Sequence, residues 1–166
     1  MKTRTLFLTV LICFILGGVS SQEKDIKANS DIILNDTSKI ATLLNSKTFE
    51  FIANTVYPTN GSPKNLVGSG YSVTFSPEMI ISNLPFFGRG YSGMALRKDK
   101  GMKFKGKPEN FILEKSKEYQ VTTTVNDGDS YKLFLSVSDS GYATLSISST
   151  DRGTISYQGE LVNISE

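Results

Sequence analysis

Between Phe49 and Leu161 apolar side chains recur at every second position in one short run after another, a period that fits strands with one buried face and does not fit helices. Phe49, Phe51, Ala53 and Thr55 alternate with Glu50 and Asn54. The alternation returns at Tyr71, Val73 and Phe75; at Ile80, Ser82 and Leu84; and at Tyr119, Val121, Thr123 and Val125. It continues at Tyr131, Leu133, Leu135 and Val137; at Ala143, Leu145 and Ile147; and at Ile155, Tyr157, Gly159 and Leu161. Met102 with Phe104 and Phe111 with Leu113 form shorter pairs. Turn sequences separate the runs, among them Ser76-Pro77, Gly106-Lys107-Pro108, Asn126-Asp127-Gly128-Asp129, Asp139-Ser140-Gly141 and Asp151-Arg152-Gly153. Eight or nine short strands joined mostly by tight turns make an antiparallel meander. Closure of the meander on itself removes its exposed edges. The expected fold is therefore all-β, a small barrel, with a two-sheet sandwich as the architectural alternative.

Ahead of the strands the period is helical. Asp36 or Thr37 is placed to cap a short helix whose stripe is Ile40, Leu43 and Leu44. Residues 22–36 are polar, without a sustained apolar period, and read as a disordered leader. Before them, Lys2 and Arg4 precede an apolar run from Leu6 to Leu16 and then Gly17, Gly18, Val19, Ser20 and Ser21, the three-part layout of a secretory signal. The run is too short for a helix that must span the hydrocarbon core with roughly 20 residues. The expected organisation is a signal peptide over 1–21, a leader over 22–36 and one barrel domain over 37–166. The protein is expected to be exported, periplasmic or secreted, soluble after cleavage near Gln22 and without a transmembrane anchor.

Export changes what the composition allows. The only cysteine, Cys13, lies inside the signal, so the mature chain has no thiol for disulfides, thiolate metal sites or nucleophilic catalysis. Of 18 basic residues, the loss of Lys2 and Arg4 leaves 16 against 16 acidic ones. That balance lacks the positive field of a nucleic-acid binder. With no histidine the chain also lacks the usual proton shuttle and the commonest transition-metal ligand. Catalytic motifs fail on inspection. Ser21-x-x-Lys24 straddles the cleavage point, and a Gly-x-Ser-x-Gly elbow at Ser92 has Gly90 but ends on Met94. Asp127-Gly128-Asp129 lacks the remaining ligands of a calcium loop, and Glu114 with Glu118 stands in no wider constellation. The expectation is no enzyme, no catalytic residue, no cofactor and no metal.

Two stretches stand out. Leu84-Pro85-Phe86-Phe87-Gly88-Arg89-Gly90-Tyr91 follows one strand, and Asp151-Arg152-Gly153-Thr154-Ile155-Ser156-Tyr157-Gln158-Gly159 opens the last. Together with Gly101-Met102-Lys103-Phe104 and Gly141-Tyr142-Ala143-Thr144-Leu145 they resemble the Bacteroidetes domain-of-unknown-function 4251 family, over about Lys39 to Gly159. Phe86, Gly90 and Gly153 depart mildly from that pattern. The resemblance implies an exported protein with a lipocalin-like barrel and implies no known activity.

Of the adjacent rings Phe86 and Phe87, one is expected inside the barrel and the other at its rim, since neighbouring strand residues face opposite ways; if Phe87 is the inner one, its truncation should lower the melting temperature markedly. Arg89 between glycines and Arg152 beside Gly153 each have two readings. Either the guanidinium pairs internally and locks a turn, or it grips an anionic group bidentately. Arg89, Arg152, Phe86, Phe87, Tyr91 and Tyr157 are thus the candidate ligand-binding set. Arg97, Lys98, Lys100, Lys103, Lys105 and Lys107 form the one basic cluster, which reads as a solvated edge or as a contact for anionic envelope components. Two non-enzymatic functions follow. The first is a binding module for a small, partly apolar or anionic ligand at the barrel mouth; the alternative is an envelope interaction protein with a solid barrel that contacts another macromolecule. Interior volume separates them.

Overall fold

The computed structural model describes residues 39–88 and 101–164, which lie within the compact unit Asp36–Glu166. The expected signal, leader and helix cap at Asp36 or Thr37 fall outside the described residues. A short helix, α1 (39–46), is followed by β1 (Phe49–Tyr57), β2 (Lys64–Asn65), β3 (Ser72–Phe75), β4 (Ile80–Leu84) and β5 (Met102–Gly106). Then come β6 (Pro108–Lys115), β7 (Tyr119–Asn126), β8 (Ser130–Val137), β9 (Tyr142–Ser149) and β10 (Ile155–Val162). All pairings are antiparallel, in the order β5-β4-β3-β1-β10-β9-β8-β7-β6, with β2 beside β1.

The meander closes nearly into a barrel at a single bend. β5 and β6 are separated only by Lys107, yet β5 pairs with β4 and β6 with β7, so one bent strand supplies both ends of the sheet. At the bend the Lys105 backbone N–H donates to the Asp127 carboxylate at 2.9 Å, and the Phe104 and Tyr131 rings stack at 4.1 Å. The β5 edge is thereby tied to the β7–β8 turn.

Alternation predicted most inward positions correctly. Tyr131, Leu133, Leu135 and Val137 of β8, and Ile155, Tyr157 and Leu161 of β10, are all buried. β1 departs from the expected register. Its partners run Ala53↔Gly159 and then Thr55↔Gln158, so Asn54 is an extra residue, and Val56 rather than Thr55 turns inward. A bulge of this kind resets strand parity, which a strict period of two cannot anticipate. The helix lays Leu44 into the core, with Ile40 and Leu43 packed against it, and stops where Lys47 takes a left-handed φ of 56°.

The interior is occupied by the chain's own side chains. Phe49, Phe51, Phe75, Tyr157, Leu133, Leu135, Leu145 and Ile147 are all essentially inaccessible, and Phe49 stacks on Phe75 at 4.6 Å. Two buried hydroxyls find acceptors in the backbone, Ser82 at the Met102 carbonyl (2.6 Å) and Thr123 at the Glu109 carbonyl (3.0 Å). Among the described residues no helix is long and apolar enough to cross a membrane.

Candidate functional site

The β9–β10 connection and the start of β10 carry one signature stretch, and the end of β4 carries the other. Sheet order places them at the same end of the barrel, where they touch. The Tyr157 hydroxyl, from an inward position on β10, donates to the Pro85 carbonyl at 2.7 Å. The Arg152 guanidinium donates to the Gly101 carbonyl and stands over the Phe86 ring at 5.2 Å. Pro85 and Gly101 are the two stems of the β4–β5 connection, so one hairpin clamps both. Gly101 has a φ of 65°, and a Cβ there would press on the Leu84 carbonyl oxygen at 2.5 Å. Only glycine suits that approach.

Phe86 is the inner ring, 6% exposed, and Phe87 is the outer one, 40% exposed with the Lys64 ammonium 5.1 Å from its centre. One ring is inside and the other outside as expected, and the inner one is Phe86 because it continues the inward alternation of Ile80, Ser82 and Leu84, which leaves Phe87 on the outer side. Arg89 and Tyr91 lie outside the described residues, as do Arg97, Lys98 and Lys100. Lys103 and Lys105 point outward on β5, and Lys107 sits at the exposed bend.

Around Arg152 the barrel end is polar. Tyr131 is held above its usual ionisation range, first by burial and then by Asp129, with Asp127 and Asp151 adding to the effect and Arg152 opposing it. The carboxylates of the expected hairpin are used in turn bonds. Asp129 accepts from the Ser130 N–H (2.8 Å) and from the Thr150 hydroxyl, and Asp127 from Lys105. Among the described residues no group of acidic side chains is arranged to hold a metal ion. The Ser149 hydroxyl, paired in register with Tyr131 and shielded from solvent, has no hydrogen-bond partner.

A second feature was not singled out by the sequence. On the outer face of β1, β10, β9 and β8 lies a groove of about 420 Å³ lined by Thr55, Gln158, Thr144, Ser136, Glu118 and Tyr142, among others. Its signal in the sequence is slight: outward positions of these strands are hydroxyl and amide residues where lysine and glutamate would serve solubility equally well.

The fold and the clamped end define a small antiparallel barrel whose two signature stretches converge on one β4–β5 connection. The chain belongs to the family described as domain of unknown function DUF4251, which matches residues 34–161. A crystal structure of a DUF4251 family protein from Bacteroides eggerthii DSM 20697 is similar in fold, with a TM-score of 0.58 at 15% identity, over 77% of this chain and 87% of that one. No curated protein matches the chain.

Proposed function

We propose that the protein is an exported, non-enzymatic interaction module that meets another macromolecule of the cell envelope with its outer surface, the barrel being a solid scaffold. The observation that carries this reading is the filled interior. An eight- to ten-stranded barrel of the lipocalin-like type can hold a small ligand only where its inward side chains leave room. Here β1, β8, β9 and β10 fill it with Phe, Tyr, Leu and Ile packed to near-zero exposure. Export rests on the basic, apolar and small-residue order of residues 1–21. The non-enzymatic part rests on how the acidic side chains are spent: Asp127 and Asp129 fix turns, and Glu118 accepts from Ser136.

One observation favours a second reading, a small anionic ligand at the barrel mouth. Among the described residues Arg152 forms no ion pair, and the unpartnered Ser149 hydroxyl lies at the same end. Native mass spectrometry of the protein purified from its host's envelope separates the two. The solid-barrel reading expects the bare chain or the chain with a macromolecule. A small anionic or apolar molecule retained in one-to-one ratio overturns it.

A further inference from the structure

We propose that the outer groove over β1, β10, β9 and β8 binds a short, uncharged oligosaccharide; this rests on the reading that the protein works through its outer surface. Ladder register sets the groove's floor. Thr55 pairs with Gln158, Gln158 with Thr144 and Thr144 with Ser136, which lines these four side chains in one row across four strands. Outward side chains of one row stand about 5 Å apart from strand to strand. The row offers hydroxyls and an amide, groups that both donate and accept. Glu118 leans over its end and accepts from the Ser136 hydroxyl, and the Gln158 carbonyl oxygen accepts from the Tyr57 hydroxyl at 2.7 Å, which turns the amide NH₂ of Gln158 toward other acceptors.

Aromatic rings border the row on both sides. Tyr142, 69% exposed, begins β9 two residues before Thr144. Phe134, 43% exposed, precedes Ser136 by two on the antiparallel neighbour and so lies on the opposite side. Tyr57, 39% exposed, ends the Phe134 side, and between them the Ser146 and Ser156 hydroxyls meet at 2.8 Å. A ligand that fits must present flat C–H faces to rings and many hydroxyls to a polar row, and sugar units present both.

Other occupants fit less well. An apolar molecule would strip water from the hydroxyl row without replacing its hydrogen bonds. An anion, nucleic acid included, would meet Glu118 with no cation among the lining residues. A peptide adding as a strand needs a free edge, and these are inner strands whose backbone groups are in ladders. The volume falls within the roughly 300–1,000 Å³ of small-molecule sites, enough for a few sugar units.

The test is a titration of isotope-labelled protein with maltohexaose, cellohexaose, chitohexaose and mannohexaose, followed by amide NMR shifts. At least one sugar is expected to shift Ser136, Thr144 and Gln158 at millimolar concentration. Tyr142→Ala should weaken that binding by about tenfold, whereas Tyr142→Phe, which keeps the ring, should bind like the parent. Tyr142 is exposed, so neither variant should lose its fold, and the unchanged remainder of the spectrum verifies this. No shift with any of the four sugars, shifts confined to the Phe86 and Arg152 end, or undiminished binding by Tyr142→Ala overturns the proposal. Failure here with a bare mass in the native spectrum leaves the solid-barrel reading standing. A retained small molecule other than a sugar overturns that reading whatever the titrations show.

Discussion

From β6 to β10 every strand is eight residues long, whereas β2, β3, β4 and β5 have two, four, five and five residues. The long arm is a run of hairpins in which each strand pairs with its neighbour in sequence through a short turn. The short arm has irregular connections and too few ladder bonds per strand to fix its own register. Its order comes from the other arm: Tyr157 holds Pro85, Arg152 holds Gly101, Asp127 holds the Lys105 N–H, and Tyr131 stacks on Phe104. Short strands can thus be tolerated where side chains of a stiff neighbour replace the missing pairing.

The seam between the arms, β1 against β10, is where this comparison is most easily broken. Gly159 stands opposite the β1 bulge, and a Cβ at that position would overlap the Ile52 carbonyl oxygen and crowd the Phe51 ring. The carbonyl cannot yield without moving the β1 backbone. Gly159→Ala is expected to cost about 4 kcal/mol or more, in the range reserved for backbone disruption. Its denaturant midpoint should collapse, whereas Gly128→Ala, whose Cβ would meet nothing, should lose only what its left-handed φ of 67° imposes.

Next in size is the pair of adjacent rings. Phe86→Ala removes a buried ring and leaves a cavity beneath Arg152, at a cost of about 3–5 kcal/mol. Phe87→Ala removes an exposed ring and one cation–π contact, worth about 0.5–1 kcal/mol at such a site. Thermal unfolding of the two variants should therefore differ widely, and equal melting temperatures would mean that the alternation of β4 does not carry on through Pro85 to separate inside from outside.

The long arm was legible because Tyr131, Leu133, Leu135 and Val137, and their counterparts on β7, β9 and β10, each state the same inward face, and the turn residues between them agree. The short arm was legible in its strands but not in its closure. Nothing local marks Met102–Lys115 as one strand that bends between two partners, nor Asn54 as the extra residue that moves Val56 inward. β2 is too short to have a period at all. At the barrel end, Arg152, Tyr157 and Phe86 were visible as chemistry, yet their partners are the carbonyls of Pro85 and Gly101, and backbone acceptors carry no sequence signal. The outer groove escaped for a related reason. Gln158, Thr144 and Ser136 are ordinary residues until the register of three hairpins lines them up.

Below the loss of the buried Phe86 ring comes the clamp itself. Arg152→Met keeps an apolar side chain over Phe86 and removes the charged donor from the buried Gly101 carbonyl, so a structural guanidinium should be missed by about 1–3 kcal/mol. Tyr157→Phe removes the donor to Pro85 while keeping the ring in the core, with a loss in the same range. Because both side chains hold stems of one connection, releasing the first stem should lower what the second contributes, and the double variant should cost less than the sum of the singles. Denaturant midpoints of the three proteins measure this directly. Strict additivity would mean the two bonds act on independent structures. A stabilised Arg152→Met would mean that the guanidinium is held at a desolvation cost for an anionic partner, and the barrel mouth would then take precedence over the outer face as the working surface.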